Sequence, residues 1–385
     1  MTDGGFVKRG RRHAIATANG ELKDDLARVA QRRRGTTLGP RGVVMTTAGV
    51  ADVDSVLGGG YELGTCALIT TTCERLGERM FGMYFIAEGC ASAHAVAIVR
   101  EGGESKEEAF AHAPRRVRER APSEDGGDRG KKDDDDGLRI AWQYRRYLKD
   151  GKTLDDAKVG ASARGGGKKS RAPELCHRYD ASKSEDVSTL IEAGVKFHAF
   201  GDRQGESDER WSACLRFVED FVRETNAKGD ETVGRVVVQP ETPSDDDGWT
   251  RCARLVRALK GLTYGTNCVT VIILSLEAAP ARIAALIRHI VDCAIDVLPL
   301  DGPTSELESL LPDPHLCVGL VAVRKLQFQG SIVSPLVRMD RIYALQMHRK
   351  RMAIKPLQLH PEEESKKSSD AAAKCGGGKG GLDDF

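Results

Sequence analysis

A turn that follows a short apolar strand, Thr70-Thr71-Thr72-Cys73-Glu74-Arg75-Leu76-Gly77-Glu78-Arg79, stands where a strand-to-helix connection could cradle phosphates. A working phosphate loop reads G-x-x-x-x-G-K-[ST]. Its glycines let backbone N–H groups wrap the phosphates, its Lys reaches the outer ones, and its Ser or Thr holds Mg²⁺. Here only Gly77 falls where a glycine is required, and Glu78 and Arg79 occupy the Lys and Ser/Thr positions. A carboxylate at the Lys position repels a triphosphate, and no hydroxyl replaces the metal-binding one in register. Thr70, Thr71, Thr72 and Gly77 are thus a degenerate phosphate loop, and no cofactor is expected on it.

The other chemistry such a frame needs is an acidic residue closing a buried strand, to hold Mg²⁺ or polarise water. The runs Val236-Val237-Val238 and Ile272-Ile273-Leu274 are followed by Glu241 and Glu277, neither directly after the apolar run. Each suits a loop position as well as a catalytic one. His289 and Cys293 lie four apart, which is metal-ligand spacing on a helix, but zinc needs a second pair and the two also suit ordinary packing. No G-x-S-x-G, H-E-x-x-H or G-x-G-x-x-G stands in a strand-to-helix setting. The sequence implies no catalytic residue and no metal.

A regular alternation must position these residues. Ala67–Thr71 reads as a short apolar strand, Met80–Gly89 as a helix with Phe81, Tyr84, Phe85 and Glu88 at helical spacing, and Ala95–Arg100 as a second strand. Arg210–Glu224 is an amphipathic helix whose stripe is Trp211, Cys214, Leu215, Val218, Phe221 and Val222. A strand at Arg235–Gln239, a helix at Trp249–Leu262 and a buried strand at Cys268–Leu276 follow. Then come a helix at Ala281–Val291 (Ile283, Leu286, Ile287, Ile290 and Val291 inward), strands at Ala294–Leu300 and Leu316–Arg324, and an antiparallel extension through Ile342–Gln346 and Arg351–Leu359. Strand–helix alternation implies an α/β fold: a mainly parallel sheet with helices on both faces, of the RecA-like, P-loop NTPase-like kind.

Charge divides the chain. Residues 1–34 read as a disordered basic arm, 35–360 as the RecA-like domain, and 361–385 as a disordered tail rich in Lys, Ser, Ala and Gly. Disordered insertions are expected at about 101–137, with Asp133 to Asp136, and at 149–171, with Gly165-Gly166-Gly167. With Lys+Arg 58 against Asp+Glu 57 the net charge is +1, so binding to nucleic acid must come from local patches. Ten cysteines without a C-x-x-C, several in apolar runs, read as reduced core residues of a nuclear or cytosolic chain. No run is apolar and long enough for a membrane span, so no membrane partner is expected.

Three blocks resemble a known family. Thr46-Thr47-Ala48-Gly49-Val50 with Asp52-Val53-Asp54-Ser55-Val56-Leu57-Gly58-Gly59-Gly60, then Leu138-Arg139-Ile140-Ala141-Trp142-Gln143-Tyr144 after an acidic insertion, and Leu345 through Glu362 resemble the Elongator complex protein 4 family. Gln143 departs from a usual Arg and Met352 from a common Phe. The resemblance implies an accessory subunit that forms a heterohexameric ring with two sister RecA-like subunits, the fifth and sixth. It further implies docking on the catalytic Elongator core, support of tRNA wobble-uridine modification through tRNA binding and release, and residence in cytoplasm and nucleus. ATP, where it binds, then belongs at ring interfaces.

Within that frame the RNA-binding candidates are Arg349, Lys350 and Arg351, beside Arg338, Arg341 and His348, and the pair Arg145 and Arg146. The triplet equally suits pairing with an acidic neighbouring subunit, or protection of an edge strand. Trp142 and Tyr144 are the interface candidates, with base stacking the other role open to Trp142. Two further readings stay open: an active RecA-like ATPase with an unusual phosphate loop, and a DNA-recombinase-like scaffold paralogue.

Overall fold

The computed structural model describes residues 33–39, 42–72, 80–100, 105–117, 175–200, 207–300, 311, 313–327 and 342–357. Strands β1 (Thr36–Leu38), β2 (Val44–Thr46) and β3 (Tyr61–Glu62) pair antiparallel in that order, with helix α1 (Ala51–Leu57) between the last two. Gly58 closes α1 in the left-handed region at φ 80°, a conformation that spares glycine the Cβ penalty. Gly60, at φ 106°, passes so close to the Thr46 carbonyl that any Cβ would strike it. The glycine triplet therefore turns the chain at close quarters.

The chain continues as β4 (Cys66–Thr71), α2 (Met83–Ala91), β5 (Ala95–Arg100), α3 (Lys106–Phe110), β6 (Pro114–Arg116), β7 (Tyr179–Ser184), α4 (Val187–Glu192) and β8 (Lys196–Ala199). It ends as α5 (Ser207–Ala227), β9 (Gly234–Val238), α6 (Asp246–Thr263), β10 (Cys268–Leu274), α7 (Ala281–Ile290), β11 (Cys293–Pro299), β12 (Cys317–Lys325), β13 (Ile342–Met347) and β14 (Met352–Pro356). Among the described residues nine strands form one sheet in the order β14-β13-β12-β11-β4-β10-β9-β5-β8. From β11 to β8 the pairs are parallel, and β12, β13 and β14 extend the β11 edge antiparallel. No described helix is long and apolar enough to cross a membrane.

All six residues of β4 are buried, as are all of β9 and β10. That is why these runs carry few polar residues: helices cover both faces. The two-residue period then sorts side chains into two cores. Ala67 and Ile69 of β4 join Ile98, Val237 and Ile273 against α2, where Phe85 and Ile86 fill the gap. Cys66 and Leu68 join Val99, Val238 and Ile272 against α5, α6 and α7, anchored by Trp249, Val218 and Ile287. Cys66, Cys268 and Cys293 are free and fully buried. Burial pushes the Cys268 and Cys293 thiols up to about 12, so they behave as core atoms rather than nucleophiles.

The structure corrects four readings. Arg33 is buried, and the carbonyl of Arg34 accepts a hydrogen bond from His94 Nε2 at 2.6 Å, so both already pack on the domain rather than lie in an arm reaching residue 34. Inside the stretch 101–137, expected to lack structure, Ser105 caps α3 with a capping box and Phe110 is fully buried; charge density hid that short apolar anchor. Leu286 is exposed, because it lies about 100° round α7 from the inward Ile287. Cys293 opens β11 and His289 is exposed on α7, so the two do not share a helix face.

One buried ion organises the N-terminal third. Arg235, the second residue of β9, has no exposed surface. Its Nε donates to His94 Nδ1 at 2.9 Å, Nη1 to the carbonyls of Thr47 at 2.9 Å and Phe85 at 3.1 Å, and Nη2 to Thr46 Oγ1 at 2.8 Å. Its guanidinium also stands 4.5 Å from the centre of the Phe85 ring. Because His94 Nδ1 accepts and its Nε2 donates to a carbonyl, the ring is the neutral Nε2–H tautomer. Close by, buried Glu88 accepts from Tyr179 Oη at 2.8 Å, from the His177 amide at 3.0 Å and from His177 Nδ1 at 2.8 Å. Asp54 accepts from the Ala48 amide at 2.6 Å and from the Thr47 hydroxyl. Removing one member of such a buried set costs about 3–5 kcal/mol, because its partners are stranded.

The cluster sets an acid response whose sign can be worked out. Burial, helped by the Arg235 charge, holds the His94 imidazole down at about 3, and burial pushes the Asp54 carboxyl up to about 6. Burial would also raise Glu88, but the His177 hydrogen bond and Arg235 outweigh it and hold it below the usual carboxylate range. Between about pH 6 and pH 4, unfolding takes up a proton at His94 and releases one at Asp54, two opposed slopes of about 1.4 kcal/mol per pH unit. Below about pH 4, Asp54 is protonated in both states and drops out, whereas His94 and Glu88 still gain protons on unfolding. Urea titrations across pH should therefore show near-constant stability to about pH 4 and a steep fall below it. Asp54→Asn should move the onset of the fall to about pH 6; an unmoved onset would contradict this electrostatic account.

Candidate functional site

Ligands of open parallel sheets bind beyond the C-terminal strand ends where the strand order reverses. Here that place is the end of β4, which lies between β10 and β11: the chain leaves β4 for β5 on one side and later returns to β11 on the other. Thr70 and Thr71 are the last residues of β4 and are buried, and Thr72 is exposed just beyond. Gly77, with Glu78 and Arg79, lies outside the described residues.

Thr70 is already engaged. It stands in register with Asp296 of β11, and its hydroxyl donates to Asp296 Oδ1 at 2.5 Å. Asp296 also accepts from Arg324 Nε of β12 at 2.7 Å, and Arg288 Nη2 of α7 lies 3.5 Å from both its oxygens. The carboxylate is buried, while the guanidiniums are 36% and 48% exposed, so most of their attraction is screened and the network acts as a strand-to-strand tie. The single hydroxyl hydrogen of Thr70 is thus directed at Asp296. Asp296, Arg288 and Arg324 are not among the candidates drawn from the sequence, although a single Asp inside the apolar run Cys293–Leu298 is a signal that a buried strand carries a partnered charge.

The acidic alternatives sit elsewhere. Glu241, past the end of β9, pairs with Arg210 of α5 at 3.3 Å. Glu277, past β10, is exposed. Neither approaches Thr70 through any hydrogen bond among the described residues.

The basic triplet occupies a different place. Arg349, Lys350 and Arg351 form the exposed turn between β13 and β14, where the His348 amide donates to the Arg351 carbonyl at 2.9 Å. β14 is the outer strand of its sheet. The Lys350 carbonyl accepts from the Ala181 amide of β7 at 2.8 Å, which seats the turn against the β6–β7 pair. Trp142, Tyr144, Arg145, Arg146, Arg338 and Arg341 lie outside the described residues.

Comparison with known proteins adds the family. Residues 29–383 match the PAXNEB protein family. The chain is 24% identical over 367 residues to Elongator complex protein 4 of Danio rerio, covering 87% of this chain and 87% of that one. It is 23% identical over 387 residues to the Xenopus laevis protein of the same name, covering 88% of each, and 22% identical to that of Dictyostelium discoideum, covering 83% of this chain and 75% of that one.

With Glu78 and Arg79 at the Lys and Ser/Thr positions and Thr70 tied to Asp296, a coupled phosphate-release assay on the purified chain should show no saturable ATP turnover. Glu241→Gln, which removes the carboxylate charge that faces Arg210, should leave that background unchanged. Saturable turnover abolished by Glu241→Gln would show a working phosphate site.

Proposed function

The chain belongs to the PAXNEB protein family, and from that premise we propose that it is a non-catalytic, RecA-like subunit of the Elongator complex. Its role is to complete a heterohexameric ring with the two sister RecA-like subunits, the fifth and sixth, on the catalytic Elongator core. That ring supports tRNA wobble-uridine modification by binding and releasing tRNA, in cytoplasm and nucleus. The observation that carries the reading is the match to Elongator complex protein 4 along 83–88% of this chain. The central, mostly parallel sheet supports it, as do Glu78 and Arg79 at the positions where a phosphate loop has Lys and Ser or Thr.

Head-to-tail assembly of such domains uses two different faces and closes by rotation. In a mixed ring the faces are complementary to sister subunits, and interfaces of this kind bury more than about 1,000 Å². Trp142, Tyr144 and the strands β13 and β14, apart from the basic turn between them, are the proposed anchors, since aromatic residues carry much of the interface energy. Nucleotide, where it acts, is proposed at subunit boundaries and not within this chain's own turn.

Co-expression with the two sister subunits should give one species of about 240 kDa by light scattering, six chains of roughly 40 kDa. The chain alone should be poorly soluble or form ill-defined oligomers. A well-behaved monomer that ignores both sister subunits would overturn the proposal.

A further inference from the structure

We propose that the β6–β7 pair and the β13–β14 turn together form one surface for the phosphate backbone of a nucleic acid, RNA under the reading above, on which this inference rests. The two segments are far apart in sequence and are joined by the Ala181 amide donating to the Lys350 carbonyl at 2.8 Å. Arg115, Arg116, Arg178 and Lys183 are exposed on the strand pair, and Arg349, Lys350 and Arg351 are exposed on the turn. None of these seven cations is ion-paired with a described carboxylate. Asp180, opposite Arg115 in register, is the acid among them. The Ser182 hydroxyl, donating at 2.5 Å, holds its carboxyl below the usual range, with Lys183 and Lys350 adding to the effect. Glu185, at the rim, accepts from the Arg116 amide at 3.1 Å.

The composition of this surface selects its partner. A protein interface needs a desolvated core of aromatic or aliphatic anchors. Here Tyr179 points inward and is buried, and the large exposed apolar side chain on the strand pair is Val117, 49% exposed. Unpaired guanidinium and ammonium groups on flexible stems are what phosphate contacts use, and they need no apolar anchor. Backbone hydrogen bonds fix the platform, while the cations remain free to reach.

The test is fluorescence anisotropy of the full chain with a tRNA transcript across a NaCl series. A strand-pair variant (Arg115→Gln, Arg178→Gln and Lys183→Gln combined) and a turn variant (Arg349→Gln, Lys350→Gln and Arg351→Gln combined) are compared with the parent. Gln keeps most of each stem at exposed positions, and Lys183→Gln alone serves if the triple change lowers Tm. Each triple variant should weaken binding about tenfold or more near physiological salt. Each should also flatten the slope of log K against log [NaCl] by about 1–2, from a loss of about 0.7 per phosphate contact. If the turn variant weakens binding and the strand-pair variant does not, the joined surface is wrong while the Elongator reading stands. If neither variant changes binding, RNA contact at this face fails altogether. Tighter binding of a duplex DNA of equal charge than of tRNA would overturn the assignment to RNA.

Discussion

A guanidinium buried at the start of a central strand is hard to keep unless each of its nitrogens finds an acceptor. Arg235 meets that demand by reaching across three chain segments: the Thr46-Thr47 end of β2, the Phe85 turn of α2, and His94 at the entry to β5. The bonds dictate the local chemistry around them. His94 must be neutral to accept from Arg235, which fixes its other nitrogen on the Arg34 carbonyl and draws the chain before β1 onto the domain. The positive charge also makes a buried carboxylate tolerable at Glu88, and Glu88 in turn holds His177 and Tyr179, where β7 returns to the domain. The small N-terminal sheet, α2 and the β6–β7 pair are thereby placed relative to β9 by one ion.

The switch point at β4 shows the opposite economy. β4 and both its neighbours are fully formed parallel strands, and the sequence beyond carries Glu78 and Arg79 where a phosphate loop has Lys and Ser or Thr. Asp296 instead binds Thr70, Arg324 and Arg288, converting the strand end from a place that opens to a ligand into a tie among β4, β11, β12 and α7. Exposed positive charge gathers instead on the β6–β7 pair and on the β13–β14 turn, joined through the Lys350 carbonyl.

Much of the frame was legible because buried parallel strands and amphipathic helices write strong patterns. Ala95–Arg100 was read with the bounds it has, and Cys268–Leu274 and Ala281–Ile290 were read to within two residues. What escaped were features decided by long-range partners. Arg235 and Asp296 look like ordinary interruptions of apolar strands until Thr46, Thr47, His94, Arg288 and Arg324 arrive from elsewhere in the chain. The β1–β3 strands are two or three residues each, too short to show a period, and α3 hides one buried Phe110 among charges. Lys183 and Lys350 are remote in sequence, so their common surface follows only from the backbone bond that joins their segments.

The central claim is membership in an assembled Elongator complex, and purification of the tagged chain from its own cells, followed by mass spectrometry, tests it most directly. The account predicts that the two sister RecA-like subunits come down in equal amount with this chain, together with the catalytic Elongator core. Recovery of the chain free of all of them, at the salt that preserves other large complexes, would contradict it.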